Sequence, residues 1–386
     1  TIMTTPSFSE HAPQPKHESQ SQEEGPDHGP DVTRILTAAA QQGASDVHFT
    51  VGLPVQIRLQ GRWKGLDETR LTSDDCEFVG RILAGLPEIW DRFVDALELD
   101  TSYSISGVGR FRVNLFFQRG SVGAACRALP MGIPYFDELG LPEEHMEAIS
   151  ALRHGLVLVC GSTGSGKTTT LAAVVGHINR TSKRHIVTIE DPIEYMHRHD
   201  QSIVDQREVG LDTQSFANAM RHVLRQSPDV VLVGEIRDQE SVRTALMLAE
   251  TGHLVLSTIH SGEAVQALSR LVDMFPADRQ EEVKMSLAAV LQTVLVQQLI
   301  PSINQVDHQV LAWELLSANA AVRNSVRTGR FEQVYSQMQT MRNEGMSTMN
   351  SSLLKPFRQE HISRDVALAR SPKPREMLQL LDGAQG

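Results

Sequence analysis

The stretch Gly161-Ser162-Thr163-Gly164-Ser165-Gly166-Lys167-Thr168 constrains this chain more than any other. It fits G-x-x-x-x-G-K-[ST], a loop whose glycines let the backbone curl so that successive N–H groups point at phosphate oxygens. Such a loop needs a buried strand before it and a helix after it, and the helix lends the positive end of its dipole. Both flanks are present. Leu156–Cys160 is a short apolar run, and residues 168 to 179 place Leu171, Val174, Val175 and Ile178 on one helical face. Three further apolar runs follow, Ile186–Ile189, Val230–Val233 and Leu254–Leu256, with helical patterns at 215–225 and 239–250 between them. Apolar strands alternating with helices predict an α/β fold with a parallel sheet covered on both faces.

The candidate nucleotide-binding set is Gly161, Ser162, Thr163, Gly164, Ser165, Gly166, Lys167, Thr168 and Thr169. Lys167 is expected to reach the β- and γ-phosphates of ATP, and the Thr168 hydroxyl to hold Mg²⁺. Hydrolysis needs carboxylates as well. Val230–Val233 runs into Gly234-Glu235, an acid at a strand end. Gly234 occupies the position an aspartate usually takes there, so Glu235 is expected to touch Mg²⁺ through water. Another strand ends in Glu190-Asp191-Pro192-Ile193-Glu194. Three carboxylates in five residues repel one another unless a cation or a water network uses them. One of them is a candidate to polarise the attacking water, and a solvated loop is the bland alternative. His253 and His260 bracket the last strand, either as structural residues or as sensors of the phosphate end. No third ligand has the spacing for a zinc site.

The remainder of the chain is ordinary for a globular protein, with 40% hydrophobic and 22% charged residues. Residues 1–30 stand apart, with five prolines, five acids and few apolar side chains. They are expected to be a disordered tail, the opening residues reading as a scar ahead of Met3. Residues 31–130 predict a small α+β domain. Val32, Ile35, Leu36 and Ala39 share a helical face, and Val47–Val51, Val55–Leu59 and Phe111–Leu115 alternate as strands do. Pro130, Gly132 and Pro134 mark a linker over 131–140, and 141–386 is the nucleotide-binding domain. Beyond Pro301 the chain is expected to be mostly helical, with a helical extension from about residue 317. The net charge of −11 argues against a nucleic-acid grip. Three isolated cysteines suggest reduced thiols in a cytosol. No apolar run is long enough to cross a bilayer, and no secretory signal is visible.

The glycine loop, Glu190–Glu194, Val231–Asp238 and Thr251-Gly252-His253 through His260 occur in an order and spacing that resemble the four boxes of the secretion ATPase superfamily: Walker A, Asp box, Walker B and His box. Ser45-Asp46-Val47-His48, Gly109-Arg110-Phe111-Arg112-Val113 and Gln206-Arg207-Glu208-Val209 match as well. Within the superfamily the chain is most similar to the PilT type, the retraction ATPases of type IV pili, over roughly residues 31 to 375. The resemblance implies a RecA-like domain behind a PAS-like α+β domain, and a hexameric homo-oligomer with active sites between subunits. It implies ATP hydrolysis with Mg²⁺, with Glu194 activating water and Glu235 as the Walker B acid. It implies that Arg110 and Arg112 reach the nucleotide when the N-terminal domain clamps down, a solvated strand face being the alternative. Arg221, Arg225, Arg237 and Arg243 are either rim contacts or a solvated basic face.

The partners so implied are an inner-membrane pilus platform protein and a paralogous pilus ATPase, with the protein cytoplasmic and peripheral to the inner membrane. There is no tetracysteine insertion, which favours retraction over extension. One departure stands out: the family's Ala-Ile-Arg-Asn-Leu-Ile-Arg-Glu motif reads Ala321-Val322-Arg323-Asn324-Ser325-Val326-Arg327-Thr328 here. A PilU-like accessory motor or another secretion ATPase is therefore the alternative. A nucleic-acid motor and a non-catalytic assembly subunit are the other classes weighed.

Overall fold

The computed structural model describes residues 29–130, 132–304, 308–341 and 344–383. The stretch expected to be a disordered tail lies, up to residue 28, outside the described residues. The chain then opens with α1 (Val32–Gln41), whose N-cap Asp31 accepts the Arg34 N–H at 2.9 Å. Next come β1 (Asp46–Phe49), β2 (Gln56–Leu59) and β3 (Arg62–Gly65). They are followed by α2 (Ser73–Ala84), α3 (Pro87–Ala96), β4 (Glu98–Ile105), β5 (Gly109–Gln118) and β6 (Ser121–Ala128). The strands form a six-stranded antiparallel sheet in the order β3-β2-β1-β6-β5-β4. A capping box starts α2: Thr72 Oγ1 accepts the Asp75 N–H at 3.1 Å, and Asp75 Oδ2 accepts the Thr72 N–H at 2.8 Å. Leu36, Phe49, Ile57, Phe93 and Phe111 are sealed in the core between helices and sheet. Each such side chain contributes about 1.5–3 kcal/mol by leaving water.

The second sheet is built from β7 (Gly155–Cys160), β8 (His185–Glu190), β9 (Ile203–Glu208), β10 (Val230–Val233), β11 (Leu254–Ile259), β12 (Leu291–Pro301) and β13 (Gln309–Ser317). Its order is β13-β12-β7-β11-β10-β8-β9, all parallel except β13 against β12. The helices of this half are α4 (Glu143–Ala151), α5 (Lys167–Thr181), α6 (Phe216–Val223), α7 (Gln239–Glu250), α8 (Ala264–Asp273) and α9 (Gln280–Val290). After β13 come α10 (Ala320–Arg327), α11 (Phe331–Thr340), α12 (Met349–Arg358), α13 (Arg364–Arg370) and α14 (Pro374–Gly383). Every residue of β7, β10 and β11 is buried. Leu156 and Leu158 join one apolar core and Val157 and Val159 the other, because successive side chains point to opposite faces. This is the two-sided burial that the apolar runs predict.

The sheet is wider than the four strands expected. Helix does not follow Pro301 at once: β13 intervenes, and the helical stretch starts at Ala320. The cysteines are all buried, Cys76 of α2 and Cys126 of β6 in the first core and Cys160 at the end of β7. Burial pushes the Cys76 thiol up to about 11, and the Asp75 charge adds to that. Among the described residues no helix is long and apolar enough to cross a membrane.

Candidate functional site

The carboxyl ends of β7, β8, β10 and β11 lie side by side, as the pairing of Cys160 with Ile259 and of Val233 with both Ser257 and Ile189 requires. In an open parallel sheet this edge is where ligands bind. A cavity of about 540 Å³ opens there. The glycine loop wraps from β7 into α5 along one wall. Gly161 has φ +147°, and a Cβ there would stand 2.3 Å from Ser165 Oγ and 2.6 Å from the Gln297 carbonyl. Only glycine fits. Gly166 (φ +87°) takes the N-cap position of α5 with no side-chain cap, which leaves the first-turn N–H groups of α5 for an anion.

Lys167 Nζ donates to the Gly161 carbonyl at 3.1 Å and the Ser162 carbonyl at 2.9 Å, and lies 3.5 Å from His260 Nδ1. His260 Nε2 is 3.2 Å from Glu235 Oε1, and Glu235 Oε2 accepts Arg237 Nε–H at 2.7 Å. Lys167, His260, Glu235 and Arg237 therefore form a continuous string of polar contacts along the cavity. Burial lowers the Lys167 pKa, opposed by the charges of Glu235, Cys160 and Glu194. Arg270 Nη1 holds His260 in this string by donating to its main-chain carbonyl at 2.6 Å.

On the opposite wall Glu190, Asp191 and Glu194 line the cavity together. Glu190 is buried and already engaged: Thr188 Oγ1 donates to it at 2.6 Å and Gln206 Nε2 at 3.1 Å. Burial pushes its carboxyl above the usual range; those two bonds pull it down, while Glu194 and Glu208 push it up again. Neither the Asp191 nor the Glu194 side chain makes a hydrogen bond among the described residues, so both carboxylates, unlike that of Glu190, are free to take a water. For Mg²⁺ the donor set fits. The Thr168 hydroxyl and the Glu235 carboxylate face one cavity, and hard oxygens are what this ion takes, completed by phosphate and water.

Of the residues singled out from sequence, Thr163, Gly164, Gly166, Lys167, Thr168, Thr169, Glu190, Glu194, Glu235 and His260 line this cavity. Gly161, Ser162 and Ser165 shape the loop behind it. Three do not join them. His253 precedes β11 at the amino end of the sheet, where its ring Nδ1 lies 3.0 Å from the Leu248 carbonyl and 3.1 Å from Thr251 Oγ1. The full length of β11, about 20 Å at ~3.3 Å per residue, separates it from the loop. Its expected role at the phosphate end is corrected within this chain to a structural one. Arg110 does not line the cavity either: its guanidinium is ion-paired with Glu208 of β9. Arg112 is exposed on the same face of β5, opposite Phe111 and Val113, which are buried. The expectation that both arginines reach the nucleotide is not met within one chain.

Sequence reasoning missed Tyr195, whose hydroxyl lies 3.0 Å from Thr169 Oγ1, and His197, both lining the cavity. Burial, and after it the Arg180 charge, holds the His197 imidazole down at about 4, so it is neutral. The only available signal was their position within three residues of Glu194.

A phosphate-cradling loop at the carboxyl edge of a parallel sheet, with a lysine, a hydroxyl and two carboxylates turned into one cavity, defines a P-loop ATPase. The comparison with known proteins narrows the class. Residues 125–370 match the family model described as "Type II/IV secretion system protein". The chain is 40% identical over 344 residues to the type IV pilus retraction ATPase PilT of Pseudomonas aeruginosa, covering 89% of this chain and 99% of that relative. It is 37% identical over 345 residues to the type IV pilus ATPase PilU of the same organism, covering 89% of each. Among solved structures it is similar to the pilus retraction motor PilT with bound ADP, at a TM-score of 0.82 and 44% identity, covering 89% of this chain and 98% of that one. The chain belongs to the type II/IV secretion ATPase family.

Proposed function

We propose that this protein is an ATP-driven motor of type IV pilus retraction. The observation that carries the reading is the convergence of Lys167, Thr168, Glu194, Glu235 and His260 on one cavity, in a chain that matches a pilus retraction ATPase over 99% of that relative's length. In the proposed cycle the loop N–H groups and Lys167 bind the phosphates of ATP. Lys167 exchanges its bonds to Gly161 and Ser162 for the β- and γ-phosphate oxygens. Mg²⁺, held from the protein side by Thr168 and through water by Glu235, would neutralise charge on those oxygens. Glu194 orients a water in line with the γ-phosphorus and takes its proton. His260, strung between Lys167 and Glu235, reports whether the γ-phosphate is present.

A lone P-loop domain leaves this cavity open, and a neighbouring subunit is the natural source of further cations. We therefore infer a homo-oligomeric ring, a hexamer, in which Arg112 and Arg237 stand available to a neighbour. The ring would work at the cytoplasmic face of the inner membrane on a pilus platform protein, alone or with a paralogous ATPase. The drift of Leu to Ser325 and Glu to Thr328 favours one second reading, an accessory pilus motor.

The experiment is a count of surface pili and of twitching in a host lacking this gene, complemented with the native chain or with Lys167→Ala. Excess pili without twitching, restored only by the native chain, is the expected result. Bald cells would reverse the direction of the motor. Unchanged piliation would favour the accessory reading.

A further inference from the structure

We propose that Glu208 is a positioning residue through which the N-terminal sheet sets the placement of Glu194; this rests on the reading of Glu194 as the residue that polarises water. Glu208 closes β9 at the edge of the ATPase sheet and is 2% exposed. Its Oε2 accepts the Ile193 N–H at 3.0 Å and also the Arg110 guanidinium. Its Oε1 accepts the Ser102 hydroxyl at 3.0 Å. One buried carboxylate thus joins β4 and β5 of the first sheet to the residue directly before Glu194.

Gln206, two residues earlier and so on the same face of β9, holds the other side of the loop. Its Nε2 donates to the Tyr195 carbonyl at 2.8 Å, and its Oε1 accepts the His197 N–H at 2.7 Å. The segment carrying Glu194 is therefore pinned at Ile193, Tyr195 and His197, while the Glu194 side chain itself is held by nothing among the described residues. Its place is the place its neighbours give it.

The contacts between the two halves point to the same module. Among the described residues, every side-chain hydrogen bond from residues 29–130 to residues beyond 150 falls between 196 and 210. Arg92 Nη1 donates to the Gly210 carbonyl at 3.2 Å, Arg110 Nη1 lies 3.9 Å from Met196 Sδ, and Ser102 and Arg110 both reach Glu208. The N-terminal domain leans on the loop that carries the acid and not on the loop that binds phosphate. A shift of that domain would therefore change the rate of the chemical step more than the affinity for nucleotide.

The test measures kcat and KM for ATP, and the Kd of a fluorescent ATP analogue, in Glu208→Gln, Arg110→Gln and the double variant. Far-UV circular dichroism and the thermal midpoint establish that each is folded. Glutamine at 208 keeps an acceptor for Ile193 and loses the charge that holds Arg110. Each single variant is expected to lower kcat by about tenfold to a hundredfold, as a displacement near 1 Å at a reacting group does. KM and Kd should stay within about twofold, and the double variant should be no worse than the weaker single, since the two residues act as one unit. A further variant exchanging the two charges, R110E/E208R, leaves Ile193 without an acceptor and is expected to remain slow. Recovery in the exchanged variant would mean that only the tether between halves matters and would overturn the proposal. So would effects that multiply in the double variant, or a raised KM with unchanged kcat in Arg110→Gln, which would make Arg110 a nucleotide contact. Glu194→Gln is run beside them. Substantial turnover there would remove the assignment of Glu194, whereas normal turnover in Glu208→Gln would remove the coupling and leave that assignment intact.

Discussion

Glu314 offers a quantitative test of how the helical end of the chain is held. It lies on β13, 1% exposed, between the first turns of two helices. Oε1 accepts the N–H of Ala264, the first residue of α8, at 2.7 Å, and Oε2 accepts that of Met349, the first of α12, at 3.2 Å. Burial raises its pKa from 4.5 to about 7; the two backbone bonds oppose that rise, Glu263 adds to it and Lys373 opposes it. The folded chain therefore keeps this proton at a pH where the unfolded chain has lost it. Stability from this group is full below pH 4.5 and is lost as pH rises toward 7. The loss amounts to about 3 kcal/mol at ~1.4 kcal/mol per tenfold change in proton affinity. Glu314→Gln removes the titration. It also leaves one N–H without an acceptor, at about 1 kcal/mol that does not depend on pH. The assay is the thermal midpoint of both proteins between pH 5 and 8. Subtracting one curve from the other cancels the groups they share, such as His197. The variant should gain roughly 6–12 °C on the native protein across that range, at ~2–4 °C per kcal/mol. Parallel curves would refute the argument, and a variant that loses ground as pH rises would mean that the anion is the form the two helices stabilise.

Two further outcomes are expected. Gly161→Ala places a methyl 2.3 Å from Ser165 Oγ and 2.6 Å from the Gln297 carbonyl, so the loop must open. Equilibrium binding of a fluorescent ATP analogue should fall by about a hundredfold, as loss of one or two charge-assisted bonds at about 1.5–3 kcal/mol each would give, and the thermal midpoint should fall as well because alanine is strained at this φ; near-native binding would show that the loop tolerates the shift. Thr72→Ala removes one half of the capping box of α2 and should cost about 1 kcal/mol in urea unfolding, with ATP turnover untouched.

The parts of this protein legible in its sequence are those whose signal is contiguous. The loop from Gly161 to Thr168 is one unbroken run, and β7, β10 and β11 announce themselves because burial on both faces demands apolar residues throughout. Strands at the margins gave less. β3 reads Arg-Trp-Lys-Gly and is exposed along its whole length, and β9 reads Ile-Val-Asp-Gln-Arg-Glu because its polar side chains serve the loop beside it. β13 is separated from α10 only by Ala318 and the N-cap Asn319, a break too short to mark a strand end in a stretch that otherwise reads as helical. His253 and His260 looked equivalent because a strand of unknown direction has two ends, and only the parallel pairing with β7 decides which end meets the phosphate loop. The ion pair of Arg110 and Glu208 joins residues 98 apart on different sheets, and no local pattern encodes that. Gln206-Arg207-Glu208 was conspicuous as a motif; what it does became readable only from the atoms its side chains hold.

The three buried cysteines have a practical consequence for following the motion inferred between the two halves. Thiol-directed dyes react with the thiolate, so a buried thiol whose proton is hard to remove is nearly inert to them. All three fit that description: burial holds Cys76 at about 11, drives Cys126 higher still and, helped by Glu314 and opposed by Lys167, puts Cys160 at about 12. The native chain is thus expected to take up little maleimide without removal of any cysteine, which a labelling blank on the native protein checks. A cysteine introduced at exposed Arg62 of the first sheet and another at exposed Met285 of α9 would carry a donor and an acceptor fluorophore. The distance between them could then be timed against each round of ATP turnover in an otherwise unaltered protein.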